Sequence, residues 1–163
     1  DGEVGHLVIT PLRRRATPVI RYATGDLARM VPEPCSCGAE LRLELRGRTA
    51  DVIEVGGRRF DLSDLEAIAG EVPGRRLWAA GPLEDGSGLW FVVETLRPER
   101  GVSPRLVERL SRERGVRVRI DAVPIGTLYD RRELLHVGVV GKPRYVYTAA
   151  EMQDQAYVHQ GKG

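Results

Sequence analysis

The chain has 163 residues, 42% apolar and 29% charged, with a formal net charge of +2. That balance excludes a disordered or fibrous chain and allows one ordinary domain or two small ones. It leaves no global field to attract nucleic acid, and no run approaches the ~20 apolar residues that cross a bilayer. No basic-apolar-small leader opens the sequence, so the cytoplasm is the default location and neither a membrane nor a nucleic acid is expected as partner. Lysine is scarce: Lys142 and Lys162 are the only two, against a large excess of arginine. A mechanism that needs an internal ammonium therefore has one serious candidate, Lys142.

In chain order, "DGEVGHLVITPL" enters a strand almost at once, as a chain cut from something longer would. "HLVITPL" and "PVIRYATGDLARMV" are rich in branched apolar residues and punctuated by proline, so both read as strands, the second containing a strand-like run from Tyr22 that ends on the Asp26 carboxylate. Cys35 and Cys37 follow in a proline-bounded loop. "ELRLELRGRTADVIEVGGRRFDL" alternates apolar and polar residues and reads as two strands around Gly47-Arg48, with Gly56-Gly57 as a tight turn. "SDLEAIAG" predicts a short helix with Ser63 and Glu66 at capping-box spacing and Leu65, Ile68 and Ala69 as its apolar stripe. "RRLWAAGPL" and "GLWFVVETL" flank the polar turn "EDGSG" and predict a hairpin. Ser103-Pro104 starts a second helix, serine as cap and proline at the first helical position. "VRVRIDAVP" alternates and predicts a further strand. From residue 47 to about 123 the order is strand, strand, helix, strand, strand, helix, strand, an α+β class with helices on one face of a small sheet. Beyond Pro124 no period is sustained, and the last dozen residues read as a flexible tail.

Two segments carry chemistry when taken together. "RYATGD" ends a strand on a carboxylate behind a glycine, and "GRTADVIEVGGRRFDLSDLE" follows downstream. In this order they resemble the adenylate-forming acyl-CoA synthetases, most closely the phenylacetate–CoA ligase branch. In that family a Tyr-Arg-Thr-Gly-Asp strand and a Cys-x-Cys-Gly loop precede a Gly-Arg-x-Asp-Asp hinge into a small mobile C-terminal domain. The resemblance implies that residues 1–46 are the terminal β-segment of a large adenylation domain, 47–150 the mobile α+β domain, and 151–163 a flexible tail.

The residue types suit the chemistry the resemblance implies, in which a carboxylate is joined to AMP from ATP with Mg2+ and then passed to CoA. An ionised aspartate can accept hydrogen bonds from two vicinal ribose hydroxyls, which assigns Asp26 to the sugar; Gly25 lets the backbone turn close to the nucleotide, with Tyr22 and Thr24 beside it. An ordinary turn aspartate is the structural alternative. Arg48 matches the hinge arginine, whose fixed donors suit phosphate and ribose oxygens. Asp51 matches the second hinge aspartate, but Ala50 replaces the first, and Ala23 replaces the strand arginine. Gly56 and Gly57 fall where the family lines a pantetheine path, though a plain hairpin turn explains them equally. Lys142, after Gly141, is the candidate catalytic lysine, or else a solvated tail residue. Cys35 and Cys37 are half of a tetrahedral Zn2+ site completed from elsewhere, or two residues bracing a Gly-Pro turn.

The family's phosphate loop and acyl pocket are absent from these 163 residues. The expected function is thus the C-terminal portion of an ATP-dependent acyl-CoA ligase, inactive alone, with a small carboxylic acid, CoA and the missing N-terminal domain as partners. The alternative is a split or non-catalytic relative acting as a binding module.

Overall fold

The computed structural model describes residues 2–13, 19–34, 36–129 and 144–158. Within them the chain divides into two compact units, one of residues 1–52 with 61–63, the other of residues 53–60 with 64–163.

The first unit is an antiparallel three-stranded sheet in sequential order: β1 (Gly5–Ile9), β2 (Tyr22–Val31) and β3 (Arg42–Arg48). Strand β2 runs through to Val31, as its apolar pattern suggests, so Asp26 lies inside the strand and not at its end. What the Thr-Gly-Asp segment makes is a bulge. His6 pairs with Leu27 and Val8 with Ala23, so Thr24, Gly25 and Asp26 together face the single residue Leu7. A second irregularity on β3 leaves Arg46 between the Ala28–Leu45 and Leu27–Gly47 pairs. Bulges re-aim side chains within a strand, and Gly25, at φ +80°, takes a conformation that a residue with a Cβ adopts only under strain.

Period-2 alternation sorts this sheet into two unlike faces. Ile9, Tyr22, Met30, Leu43 and Leu45 share one face through the pairs Ile9–Tyr22 and Met30–Leu43, and all five are exposed. The opposite face is charged. Arg29 donates to Glu44 at 2.9 Å, and Arg46 reaches Glu44 at 3.1 Å and the buried Asp61 at 2.8 Å. The hydrogen bonds from Arg29, then Arg46, hold the Glu44 carboxyl below its usual range.

The second unit has the predicted order, with an added terminal piece. A two-stranded ribbon, β4 (Ile53–Val55) and β5 (Arg58–Phe60), precedes helix α1 (Leu62–Gly70). Then come β6 (Arg75–Pro82), β7 (Gly88–Thr95), α2 (Pro104–Arg114) and β8 (Arg117–Pro124). Strands β6 and β7 form the expected hairpin, and β8 joins β7 in parallel after the α2 crossover that parallel pairing requires. All eight residues of β7 are buried, as a central strand covered on both faces must be.

Leu89, Phe91, Val93 and Thr95 share the face of α1 and α2. Trp78 fixes this side, since its ring contacts Phe91 and its indole N–H donates to Glu66 of α1. The other face holds Ala79, Trp90 and Val92 against Met152 and Tyr157. The last two come from the region read as a tail. A short helix α3 (Ala149–Gln153) forms there, with Thr148 and Glu151 making a capping box and Met152 fully buried. The sheet side of Gly81 permits this, because a Cβ there would collide with Met152 and the Tyr147 carbonyl. Just upstream, Ala80 donates to the Tyr145 carbonyl at 2.7 Å and accepts from the Tyr147 N–H at 2.9 Å, extending the sheet beyond β6. Only residues 159–163 of the expected tail lie outside the described residues.

The capping box expected at Ser63 and Glu66 is absent, because α1 begins at Leu62, two residues before the Asp64 start that a Ser63 cap requires. Ser63 falls in the first turn and its hydroxyl points to the Leu45 carbonyl at 3.5 Å, while Glu66 is taken by Trp78 and by Arg75 at 2.7 Å. Ser103 does hold the N-cap position of α2, but its side chain makes no capping bond.

Candidate nucleotide site on the bulged sheet

The bulge in β2 collects the residues that the sequence singles out. The Thr24 hydroxyl donates to the Leu7 carbonyl at 3.2 Å and accepts the Asp26 N–H at 3.1 Å, which ties the bulge to β1 and orients the aspartate. Register then places Asp26 directly opposite Arg48, with Arg48 Nε 3.7 Å from Asp26 Oδ1. Both side chains are open to solvent, 34% for Asp26 and 73% for Arg48. An ion pair so long and so wet contributes at most about 1 kcal/mol, so a ligand carrying hydroxyls and phosphate can displace it at little cost.

Thr49 and His6 complete the cluster, and the sequence reading gave neither a role in it. The Thr49 hydroxyl lies 3.2 Å from the Gly25 carbonyl and 3.4 Å from His6 Nδ1. Thr49 could have been suspected as the residue after Arg48. His6 could not, since the bulged register that brings it near is not written in the local sequence. Tyr22 stands four residues before Asp26 at the other end of the pairing with β1, its ring exposed.

Chemically, one carboxylate, one guanidinium and two hydroxyls converge on an exposed backbone glycine. A ribose with a neighbouring phosphate is matched by such a set: the carboxylate accepts from sugar hydroxyls, and the guanidinium donates to phosphate oxygens.

The remaining candidates are spread along the chain. Ala50 and Asp51 lie in a 3-10 turn, Thr49–Asp51, just before the sequence passes from the first unit to the second at residues 52 and 53. Gly56 and Gly57 form the β4–β5 turn with φ +56° and +71°, a left-handed pair that suits glycine without any ligand. A Cβ at Gly57 would meet nothing, whereas one at Gly56 would press on Val116 at 3.3 Å. Lys142 lies outside the described residues, as does Cys35; Cys37 is exposed. Arg144, two residues beyond Lys142, grips Glu151 through both guanidinium nitrogens at 2.6 and 2.7 Å. Among the described residues no group of three or more His, Cys, Asp or Glu side chains could hold a metal ion, so they do not furnish the rest of a zinc site for Cys37. No helix among them is long and apolar enough to cross a membrane.

Comparison with known proteins gives a consistent picture. The chain is 37% identical over 75 residues to the phenylacetate-coenzyme A ligase of Thermus thermophilus, a match covering 45% of this chain and 17% of that enzyme. It is 40% identical over 68 residues to the phenylacetate-coenzyme A ligase of Aromatoleum evansii, covering 42% of this chain and 15% of that one. The matched segment is thus a small part of the length of these relatives. Among solved structures, 2-hydroxyisobutyryl-CoA ligase in its postadenylation state, bound to an acyl-AMP, superposes with a TM-score of 0.64. That match has 18% identity and covers 94% of this chain and 34% of the other, which establishes a common fold. No family model matches the sequence.

Proposed function

We propose, for a chain whose sequence and fold are those of a C-terminal region of the adenylate-forming acyl-CoA ligases, that it serves an ATP-dependent ligase of the phenylacetate–CoA type. In this reading Asp26 holds the ribose of AMP, Arg48 donates to its phosphate or sugar oxygens, and Thr24 and Gly25 shape the bulge that aims the aspartate. The observation that carries the reading is the cross-strand placement of Asp26 against Arg48 over the bulge. An ordinary turn aspartate would need neither the pairing nor the Thr24 anchor.

The rest of the enzyme supplies the phosphate loop and the acyl pocket, and Lys142 supplies the cation that steadies charge on the carboxylate and α-phosphate. Residues 47–150 form the lid that turns about Ala50 and Asp51, and Gly56 and Gly57 border the CoA path. ATP with Mg2+, a small carboxylic acid and CoA are the reactants, in the cytoplasm. The apolar face of Ile9, Tyr22, Met30, Leu43 and Leu45 supports a large body in cis or trans that covers it, since exposed apolar patches mark interaction surfaces. Alanine at position 50 favours one second reading, a split relative that binds the nucleotide without alternating between two poses.

Titration calorimetry of AMP against the chain tests the central assignment. Asp26→Ala should weaken binding more than tenfold, about 1.4 kcal/mol. Arg48→Gln should weaken it by a smaller factor, and Tyr22→Ala less again. Equal affinities for the parent and Asp26→Ala would remove the nucleotide role.

A further inference from the structure

A cavity of about 750 Å3 opens in the second unit between the end of β7, the turn after α1 and the start of α2. None of its lining residues belongs to the nucleotide site, and its chemistry is different. The floor is apolar, formed by Val72, Leu96 and Leu106, with Leu96 64% exposed. The rim is basic. Glu71 is the one acid in the lining and is held by Arg109 at 3.0 Å, so its charge is already answered. Arg97 and Arg100 also line the opening, and no hydrogen bond or ion pair engages their side chains among the described residues.

Two more features border the cavity. Helix α2 is 11 residues long and starts at this cavity with no acid in its first turn and no side-chain cap from Ser103, so its positive end is left unanswered. Thr95, the last residue of β7, lines the cavity and is 8% exposed, yet its hydroxyl has no hydrogen-bond partner. It lies on the helix-covered face of the sheet with Phe91 and Val93, where a valine would suit the packing. A buried hydroxyl without a partner is a cost that native structures rarely carry without a reason.

We propose that this cavity binds a small organic anion with an apolar body, its head group held by Arg97, Arg100 and the start of α2, and its tail lying over Leu96 and Leu106. Phosphate and carboxylate heads share this chemistry, and the test separates them.

Amide-resolved NMR titration of the chain with hexyl phosphate, hexanoate, inorganic phosphate and hexanol is the experiment. Hexyl phosphate or hexanoate should saturate, shifting the amides of Thr95, Leu96, Gly101, Val102 and Leu106; the tighter of the two identifies the head group. Inorganic phosphate and hexanol should each bind at least tenfold more weakly, since each lacks half of the ligand. The double variant Arg97→Gln/Arg100→Gln, altered only at exposed side chains, should lose at least tenfold in affinity. Saturation with shifts elsewhere, an affinity unchanged in the double variant, or no saturation by either amphiphile would overturn the proposal.

Discussion

The two sheets of this molecule are stabilised in different ways. In β6–β7–β8 the central strand is buried along its whole length and the apolar side chains on both faces have partners within the unit. In β1–β2–β3 only Leu27 and Ala28 are buried apolar residues, one face is a network of arginines and carboxylates, and the other leaves five large apolar side chains in water. The first sheet is a finished core. The second carries the candidate nucleotide site and leaves an apolar face exposed. The contrast is what the proposed lid, following a strip of a larger domain, would require.

Mutations can break this contrast, and the largest effect belongs in the finished core. Phe91 is fully buried beside Trp78. Phe91→Ala should cost about 3–5 kcal/mol, read by urea unfolding through Trp78 and Trp90, both of which belong to the second unit. Next comes the charged face. Arg46→Met removes the guanidinium that bonds the buried Asp61 carboxylate at 2.8 Å and should cost about 3 kcal/mol, read as faster amide exchange across β2 and β3 with the tryptophan transition unchanged. Replacing both partners, as Arg46→Met/Asp61→Leu, should recover much of that loss, because the buried carboxylate is removed with its guanidinium. A smaller effect is expected on the bare face. Leu43→Ser/Leu45→Ser should change stability by no more than about 0.5 kcal/mol while reducing self-association in sedimentation runs. A loss comparable to that of Phe91→Ala would mean that these leucines are already packed, and the contrast would fail.

Much of the second unit was legible because its signals are local. The alternation of "VRVRIDAVP", the hairpin around "EDGSG" and the glycine pair at 56–57 each fix an element by themselves. What the sequence hid depends on distant partners. Asp26 reads as the end of a strand because Thr-Gly-Asp resembles a turn; only the pairing of His6 and Val8 with Leu27 and Ala23 turns it into a bulge. Glu66 satisfies a capping pattern, yet the Trp78 indole and Arg75 outcompete the helix end for its carboxylate. Glu94 carries no signal in "GLWFVVETL". It is nonetheless almost wholly buried, accepting the N–H groups of Gly126 at 3.0 Å and Leu128 at 2.8 Å beyond β8. Met152 and Tyr157 were missed for a related reason. Five helical residues are too few for a period, and Met152 lies where it does only because position 81 is glycine.

The terminal helix α3 gives the smallest effect and the one most open to pH. Glu151 closes the capping box on Thr148 and is gripped by Arg144, and these bonds, the Arg144 contact foremost, depress its pKa to about 2. Its folded pKa thus lies below the 4.5 of a free glutamate. The stabilisation is therefore complete above pH 4.5 and is lost as pH falls from there toward 2. The pair lies at the surface, with Arg144 53% and Glu151 33% exposed, so water screening limits the contribution to under about 1 kcal/mol. Acid should loosen α3 while β7 stays protected, because Met152 is anchored by burial rather than by charge. Amide protection factors, corrected for the intrinsic exchange rate at each pH, would show this between pH 6 and pH 3 as a fall at Glu151 and Met152 with no change at Phe91 or Val92. Glu151→Gln should lower α3 protection at pH 6 at least as far as pH 3 lowers it in the parent, where the carboxylate is only partly protonated, and equal α3 protection of the parent at the two pH values would show that the Arg144–Glu151 grip contributes nothing to the helix.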